Sequence, residues 1–192
     1  MKRFFLSLFS VKNPSHQQAG FTLVEMAVVA AIIGFLSTAL IINFSRTRVD
    51  IDRTANLVVS TVREAQTKAI SSTTYSGYNP CGYGIHYISA TKFAIYVGQD
   101  ASLVDCPNVA NKNFVQGRDS LLASQSFTDP NVQFMASFND VFFLPPDPKT
   151  YLNNNASLNQ SPLTIQVGPV GGACPTNCRT ISIYPSGKIQ SQ

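Results

Sequence analysis

Four cysteines, Cys81, Cys106, Cys174 and Cys178, are the residues best equipped for covalent or metal chemistry. Four cysteines admit three disulfide pairings. Sequence-local closure asks least of an unknown fold, so we expect Cys174 to join Cys178 across "CPTNC" and Cys81 to join Cys106. Zinc is the rival, but a lone C-x₃-C pair is a weaker metal signature than paired C-x₂-C knuckles, and no metal site is expected. All four cysteines lie beyond a long apolar run from Lys2, Arg3 and Lys12. With that basic end in the cytoplasm, they reach an oxidising space where disulfides persist.

Other reactive constellations are sparse. His86 sits inside a predicted strand, and a triad around it would need a serine and an acid brought from elsewhere in the fold. A hydrogen-bonded structural histidine is the plainer reading. The glycine-rich "GPVGG" at 168–172 lacks a following Lys-Ser or Lys-Thr, and in "PSGK" Lys188 is followed by Ile189, so neither is a phosphate-binding loop. Asp100, Asp105, Asp140 and Asp147 do not follow EF-hand spacing, and "PPDPKTYLNNN" reads as an ordinary loop although it could offer oxygens to a calcium ion. We therefore expect no catalytic residue, no cofactor and no enzymatic activity.

Composition bounds the partners. The 192 residues suit one domain with an appendage, and only 12% are charged against 44% hydrophobic, which suits an anchored or assembled protein. The formal charge of +4 is concentrated at the start: without residues 1–20 the chain holds 11 basic and 10 acidic groups, a net +1. A near-neutral chain argues against an electrostatic nucleic-acid binder. Beyond Lys149 the only basic residues are Arg179 and Lys188, two charges where phosphate binding usually takes several.

These residues must be positioned by a long helix and a sheet. Residues 26–42 carry no charge, yet Glu25 stands at the mouth of the run. A secretory signal fits poorly, because the apolar core is too long and "NFSRTR" follows it instead of a small-residue cleavage site. Residues 21–44 would make about 36 Å of helix, enough to cross a hydrocarbon core of about 30 Å, with Arg46 and Arg48 just beyond. A plain anchor leaves Glu25 unexplained. A carboxylate within a membrane costs at least about 2.5 kcal/mol and is kept with a partner or a task.

The stretch "GFTLVE", after a short basic, polar leader and before about twenty apolar residues, resembles the class III signal of type IV prepilins and pseudopilins. The resemblance implies that prepilin peptidase cuts after Gly20 and methylates the new amine on Phe21. It also implies that Glu25 pairs with the Phe21 amine of a neighbouring subunit during assembly. In a low-dielectric core such a pair selects register, because leaving either charge unpaired is expensive. Many major pilins have a proline at the position of Ile42; this chain departs from them there, which removes the expected site of local melting.

No proline or glycine interrupts residues 37–69. Ile51, Ala55, Val58, Val62, Ala65 and Ala69 recur at three- and four-residue intervals, with Asp52, Arg53, Arg63, Glu64 and Lys68 on other faces. Gly34 and neighbouring small residues suit close helix approach. Further on, "YGIHYI" and "KFAIYV" read as one hairpin, "NVQFMASF" and "VFFL" as a second, and "PLTIQVG", "RTISIY" and "KIQ" as further strands. Residues 98–126 and "PPDPKTYLNNNASLNQSP" read as surface loops.

The expected fold is α+β, a long N-terminal helix on an antiparallel β-sheet head of type IV pilin kind. Residues 1–20 form a cleaved leader, 21–44 a transmembrane and assembly helix, 45–70 an amphipathic helix and 71–192 an extracytoplasmic β-rich head. "LVVSTVREAQTKAISS" and the closing "RTISIYPSGKI" resemble the GspH/FimT type of minor pseudopilin or minor pilin. That resemblance implies a structural subunit that waits in the cytoplasmic membrane, with the peptidase and other pilin or pseudopilin subunits as partners. Nucleic acid is the alternative partner, through Arg179 and Lys188, and ranks below the structural role.

Overall fold

The computed structural model describes residues 22–145 and 149–192, and of residues 39–47 the backbone alone. Gly20, Phe21, the leader 1–20 and Asp147 lie outside the described residues, as do the side chains of Ile42 and Arg46. Among the described residues one α-helix, α1 (Leu23–Ile70), precedes nine strands. The chain divides into two compact units, Met1–Ile41 and Ile42–Gln192. In the first, the described helical side chains, residues 23–38, are all exposed.

In the second unit the helical periodicity becomes a buried stripe. Ile51, Ala55, Val58, Val62, Ala65 and Ala69 are buried, with Val58, Val62, Ala65 and Ala69 fully so. Thr54 and Thr61 lie on the same stripe and satisfy their hydroxyls within the helix, donating to the carbonyls of Asp50 and Leu57 at 2.8 Å each. This removes the penalty of a polar atom in an apolar core. The helix ends where Ser72 takes a left-handed backbone, φ 46°. Its N–H donates to the carbonyl of Ala69 and that of Thr73 to the carbonyl of Lys68, a Schellman closure made without glycine.

Two antiparallel sheets share this stripe. Sheet A has the order β3-β2-β1-β5-β6, built from β1 (Tyr83–Ser89), β2 (Lys92–Val97), β3 (Ser120–Ser126), β5 (Val141–Leu144) and β6 (Lys149–Leu152). Sheet B has the order β4-β7-β8-β9, from β4 (Val132–Phe134), β7 (Leu163–Pro169), β8 (Arg179–Ile183) and β9 (Ile189–Ser191). The α1 stripe, Ile85, Phe93, Ile95 and Phe143 of sheet A, and Ile165, Val167, Ile181 and Ile183 of sheet B form one continuous core. The expected β1–β2 hairpin forms, with Ile85 opposite Ile95, and β7, β8 and β9 pair in sequence.

Three expectations need correction. "NVQFMASF" and "VFFL" do not form a hairpin: β4 pairs with β7 in sheet B, whereas β5 pairs with β1 and β6 in sheet A. The switch is locked at the β1–β2 turn, where the carbonyls of Ala90 and Thr91 accept from the N–H groups of Phe134 and Phe127. Within the expected loop 98–126, residues 120–126 are the strand β3, paired with β2. Within the second expected loop, "KTYL" is β6, paired with β5.

Sheet A is covered on its other face too, so β2 is buried at five of its six positions. Residues 98–119 lie there, forming a second cluster in which Cys81, Tyr96, Phe142 and Leu144 meet Val104, Cys106, Phe114 and Tyr151. The Cys81–Cys106 disulfide ties this segment to the sheet. Lys112 is its second fastening, 5% exposed. Its Nζ donates to the carbonyls of Cys106, Pro107 and Val109 at 2.9, 3.2 and 2.7 Å, and stands 5.0 Å from the Tyr151 ring centre. The backbone of Lys112 donates to Asn154 Oδ1 at 2.8 Å and accepts the Tyr96 hydroxyl at 2.6 Å. Burial pushes the Tyr96 phenol well above its ordinary pKa, so it stays a donor.

Replacing Lys112 removes a charged donor from three carbonyls in a site water cannot readily refill. We expect Lys112→Met to lower unfolding stability by about 2 to 3 kcal/mol, measured by denaturant titration with the disulfides intact. Unchanged stability would show that the three carbonyls do not depend on it.

Candidate functional site

At the start of α1, Thr22 and Glu25 stand three residues apart, the spacing of an N-terminal capping box. The backbone N–H of Glu25 donates to Thr22 Oγ1 at 3.2 Å, and that of Met26 to the Thr22 carbonyl at 3.2 Å. Thr22 therefore ends the first turn, and Glu25 places a carboxylate where the helix dipole favours negative charge. Among the described residues the Glu25 carboxylate has no ion-pair partner. Leu23, Val24, Met26, Val28, Val29, Ile32, Ile33, Phe35 and Leu36 are exposed around it. Among the described residues no helix is long and apolar enough to cross a membrane.

The other sequence-derived residues lie in the second unit. Cys174 and Cys178 are joined, as local closure predicts, in a partly exposed loop between β7 and β8. Beside this loop a cleft of about 350 Å³ opens against α1, lined by Arg48, Ile51 and Asp52 on the helix and by Thr176, Asn177 and Arg179 opposite. Arg179 spans it, donating from Nε to Asp52 Oδ1. That hydrogen bond, with the nearby charges of Arg179 and Arg48, holds the Asp52 carboxyl below its ordinary pKa, and the same bond with the Asp52 charge raises that of Arg179.

Lys188 is exposed in the turn after β8, its Nζ 5.5 Å from the Tyr184 ring centre. Arg179 and Lys188 therefore occupy opposite ends of the β8–β9 ribbon. Five residue steps, from Arg179 at the start of β8 to Tyr184 just past its end, put about 17 Å of strand between them. The turn is held by Gly187, whose φ of +80° a side chain would strain, and whose carbonyl accepts from Gln66 Nε2 of α1 at 3.3 Å.

His86 is paired without a nucleophile. Its Nδ1 is 2.8 Å from Asp140 Oδ1, and Asp140 Oδ2 accepts the N–H of Phe114 at 2.7 Å. The Phe114 ring lies 4.4 Å from the imidazole, centre to centre. Among the described residues no hydroxyl or thiol hydrogen-bonds to the ring, so the dyad fastens residue 114 to β1. "LNNN" serves a similar end: Asn154 grips the Lys112 segment at both its amide atoms, and Asn113 donates to Asn153 Oδ1 at 3.2 Å. Asn153 and Asn154 both take left-handed backbones, which asparagine tolerates. Sequence reading missed Lys112 and the Arg118–Asp119 pair, which closes the same segment with contacts of 2.9 and 2.6 Å. Neither has a periodic signal.

Comparison with known proteins bears on the N-terminal region alone. Residues 15–41 match the family model of the prokaryotic N-terminal methylation motif. No curated protein and no solved structure matches the chain. The matched segment contains Gly20, Phe21, Thr22 and Glu25, and its described part begins α1. The motif supports a protein of the type IV prepilin and pseudopilin class.

Proposed function

We propose that the chain is a minor pilin or pseudopilin of the GspH/FimT type, a non-enzymatic structural subunit of a type IV pilus or a type II secretion pseudopilus. Prepilin peptidase cleaves after Gly20 and methylates the amine of Phe21. Residues 21–44 hold the processed chain in the cytoplasmic membrane, with the disulfide-bonded head outside. Other pilin or pseudopilin subunits then receive it into the filament, where Glu25 pairs with the Phe21 amine of a neighbour. The observation that carries this reading is the methylation motif at residues 15–41. Support comes from the exposed apolar side chains around Glu25 and from a head in which Lys112, Arg118, Asp119 and Arg179 are engaged with their own neighbours.

DNA capture through Arg179 and Lys188 has less support. Arg179 is already paired with Asp52, and Lys188 lies at the far end of the ribbon. Two separated cations supply little of the counterion release that drives phosphate binding.

The mass of the membrane-bound chain should drop when prepilin peptidase is present, and Gly20→Trp should block the change; equal masses with and without the peptidase would defeat the reading. Glu25 has two roles that one pair of variants separates. A capping box accepts Gln as well as Glu, whereas pairing with an amine needs the charge. Glu25→Gln and Glu25→Ala should both be cleaved, yet both should enter filaments about ten- to a hundredfold less, the cost of losing a charge-assisted bond. Normal incorporation of Glu25→Gln would leave the cap as the only role. A mobility-shift titration at about 0.15 M salt should show no DNA retardation, and salt-sensitive binding lost in Arg179→Ala would reinstate DNA capture.

A further inference from the structure

The two disulfides differ in what surrounds their sulfurs. Cys81 is 4% exposed and lies in an apolar cluster with Tyr96, Phe142 and Leu144, where a thiolate is poorly solvated. Cys174 and Cys178 are half-buried, and Ala173, Pro175, Thr176 and Asn177 around them are exposed. Cys178 also lines the cleft of about 350 Å³ against α1, together with Arg48, Asp52 and Arg179. Two guanidiniums against one carboxylate leave that cleft a net positive charge. Arg179 is spent on Asp52, whereas Arg48 is exposed and has no ion pair among the described residues. The Cys178 sulfur is also fixed in place, packed on β7 where a Cβ at Gly168 would come within 2.8 Å of it. A partly exposed sulfur in an electropositive setting is where thiol chemistry runs fast.

We propose that Cys174–Cys178 is a thiol–disulfide exchange site for low-molecular-weight thiols that carry carboxylates. The thiolate enters the cleft and attacks Cys178 Sγ. A new S–S bond forms there as the Cys174–Cys178 bond breaks, and the electron pair leaves on Cys174 Sγ, which takes a proton from water. The incoming sulfur is oxidised and Cys174 is reduced. Attack by the Cys174 thiolate on the mixed disulfide reverses the step, expels the small thiol and restores the ring. Arg48 supplies the selectivity, because its charge favours an anionic thiol over a cationic one. Thr176 and Asn177 line the same cleft and offer a hydroxyl and an amide to the carboxylates. The cleft is thus a reversible modification site, filled while such a thiol is present and cleared when it is withdrawn. The inference does not depend on the filament reading.

The test uses the full chain in detergent micelles, with glutathione as the anionic thiol and cysteamine as the cationic one, at equal thiolate concentrations. Samples are quenched in acid, alkylated and mapped by peptide mass. Glutathione should be found on Cys178, with Cys174 alkylated and the Cys81–Cys106 pair intact. The ratio of the glutathione rate to the cysteamine rate should fall about tenfold in Arg48→Gln, an exposed position whose change leaves the core untouched. About 1 M salt should lower the ratio in the unmodified chain in the same way. Opening of Cys81–Cys106 as fast as Cys174–Cys178 would overturn the proposal, as would glutathione placed mainly on Cys174. A rate ratio that Arg48→Gln leaves unchanged would overturn the choice of an anionic thiol.

Discussion

The head depends on one stripe of one helix. Ile51, Ala55, Val58, Val62, Ala65 and Ala69 meet residues of both sheets in a single core. The two sheets share no ladder, so this stripe, the phenylalanines at their junction and the main-chain bond from Phe134 to Ala90 hold them together. Three of the six stripe residues are alanine, which lets strands approach the helix closely. Sheet A is then apolar on both faces, because Tyr96 and Phe142 point away from the helix. Its second face needs a lid, and residues 98–119 supply it.

That lid explains how the few charges are spent. Lys112 donates to three carbonyls inside the segment, Arg118 and Asp119 close its end, and Asp140 joins it to His86. Arg179 and Asp52 link sheet B to α1 at the surface, an exposed pair of the kind worth up to about 1 kcal/mol. Charges tied to neighbours in this way hold loops in place and offer little to a substrate or a phosphate.

Legibility followed periodicity. The α1 stripe was readable because 3.6-residue spacing survives any packing partner. β1, β2, β7 and β8 were readable because branched and aromatic residues mark strands buried on a face. β3 and β6 lack that mark: "SLLASQS" and "KTYL" are short edge strands that mix polar residues with apolar ones, so their composition resembles a loop. The resemblance makes Glu25 a partner for an amine, and its place in the first turn of α1, where the helix dipole favours negative charge, adds a local reason for a carboxylate.

The sequence by itself determined the methylation motif, the amphipathic half of the helix and the short Cys174–Cys178 closure. Each depends on residues close together in the chain or on a short period. Tertiary structure decided which strands pair, that Phe134 and Val141 belong to different sheets, that Lys112 is buried, and that Arg179 is bound to a helix residue 127 positions away. Those outcomes depend on contacts between distant segments, whose closure is settled by the shape of the whole core and leaves no local pattern to read.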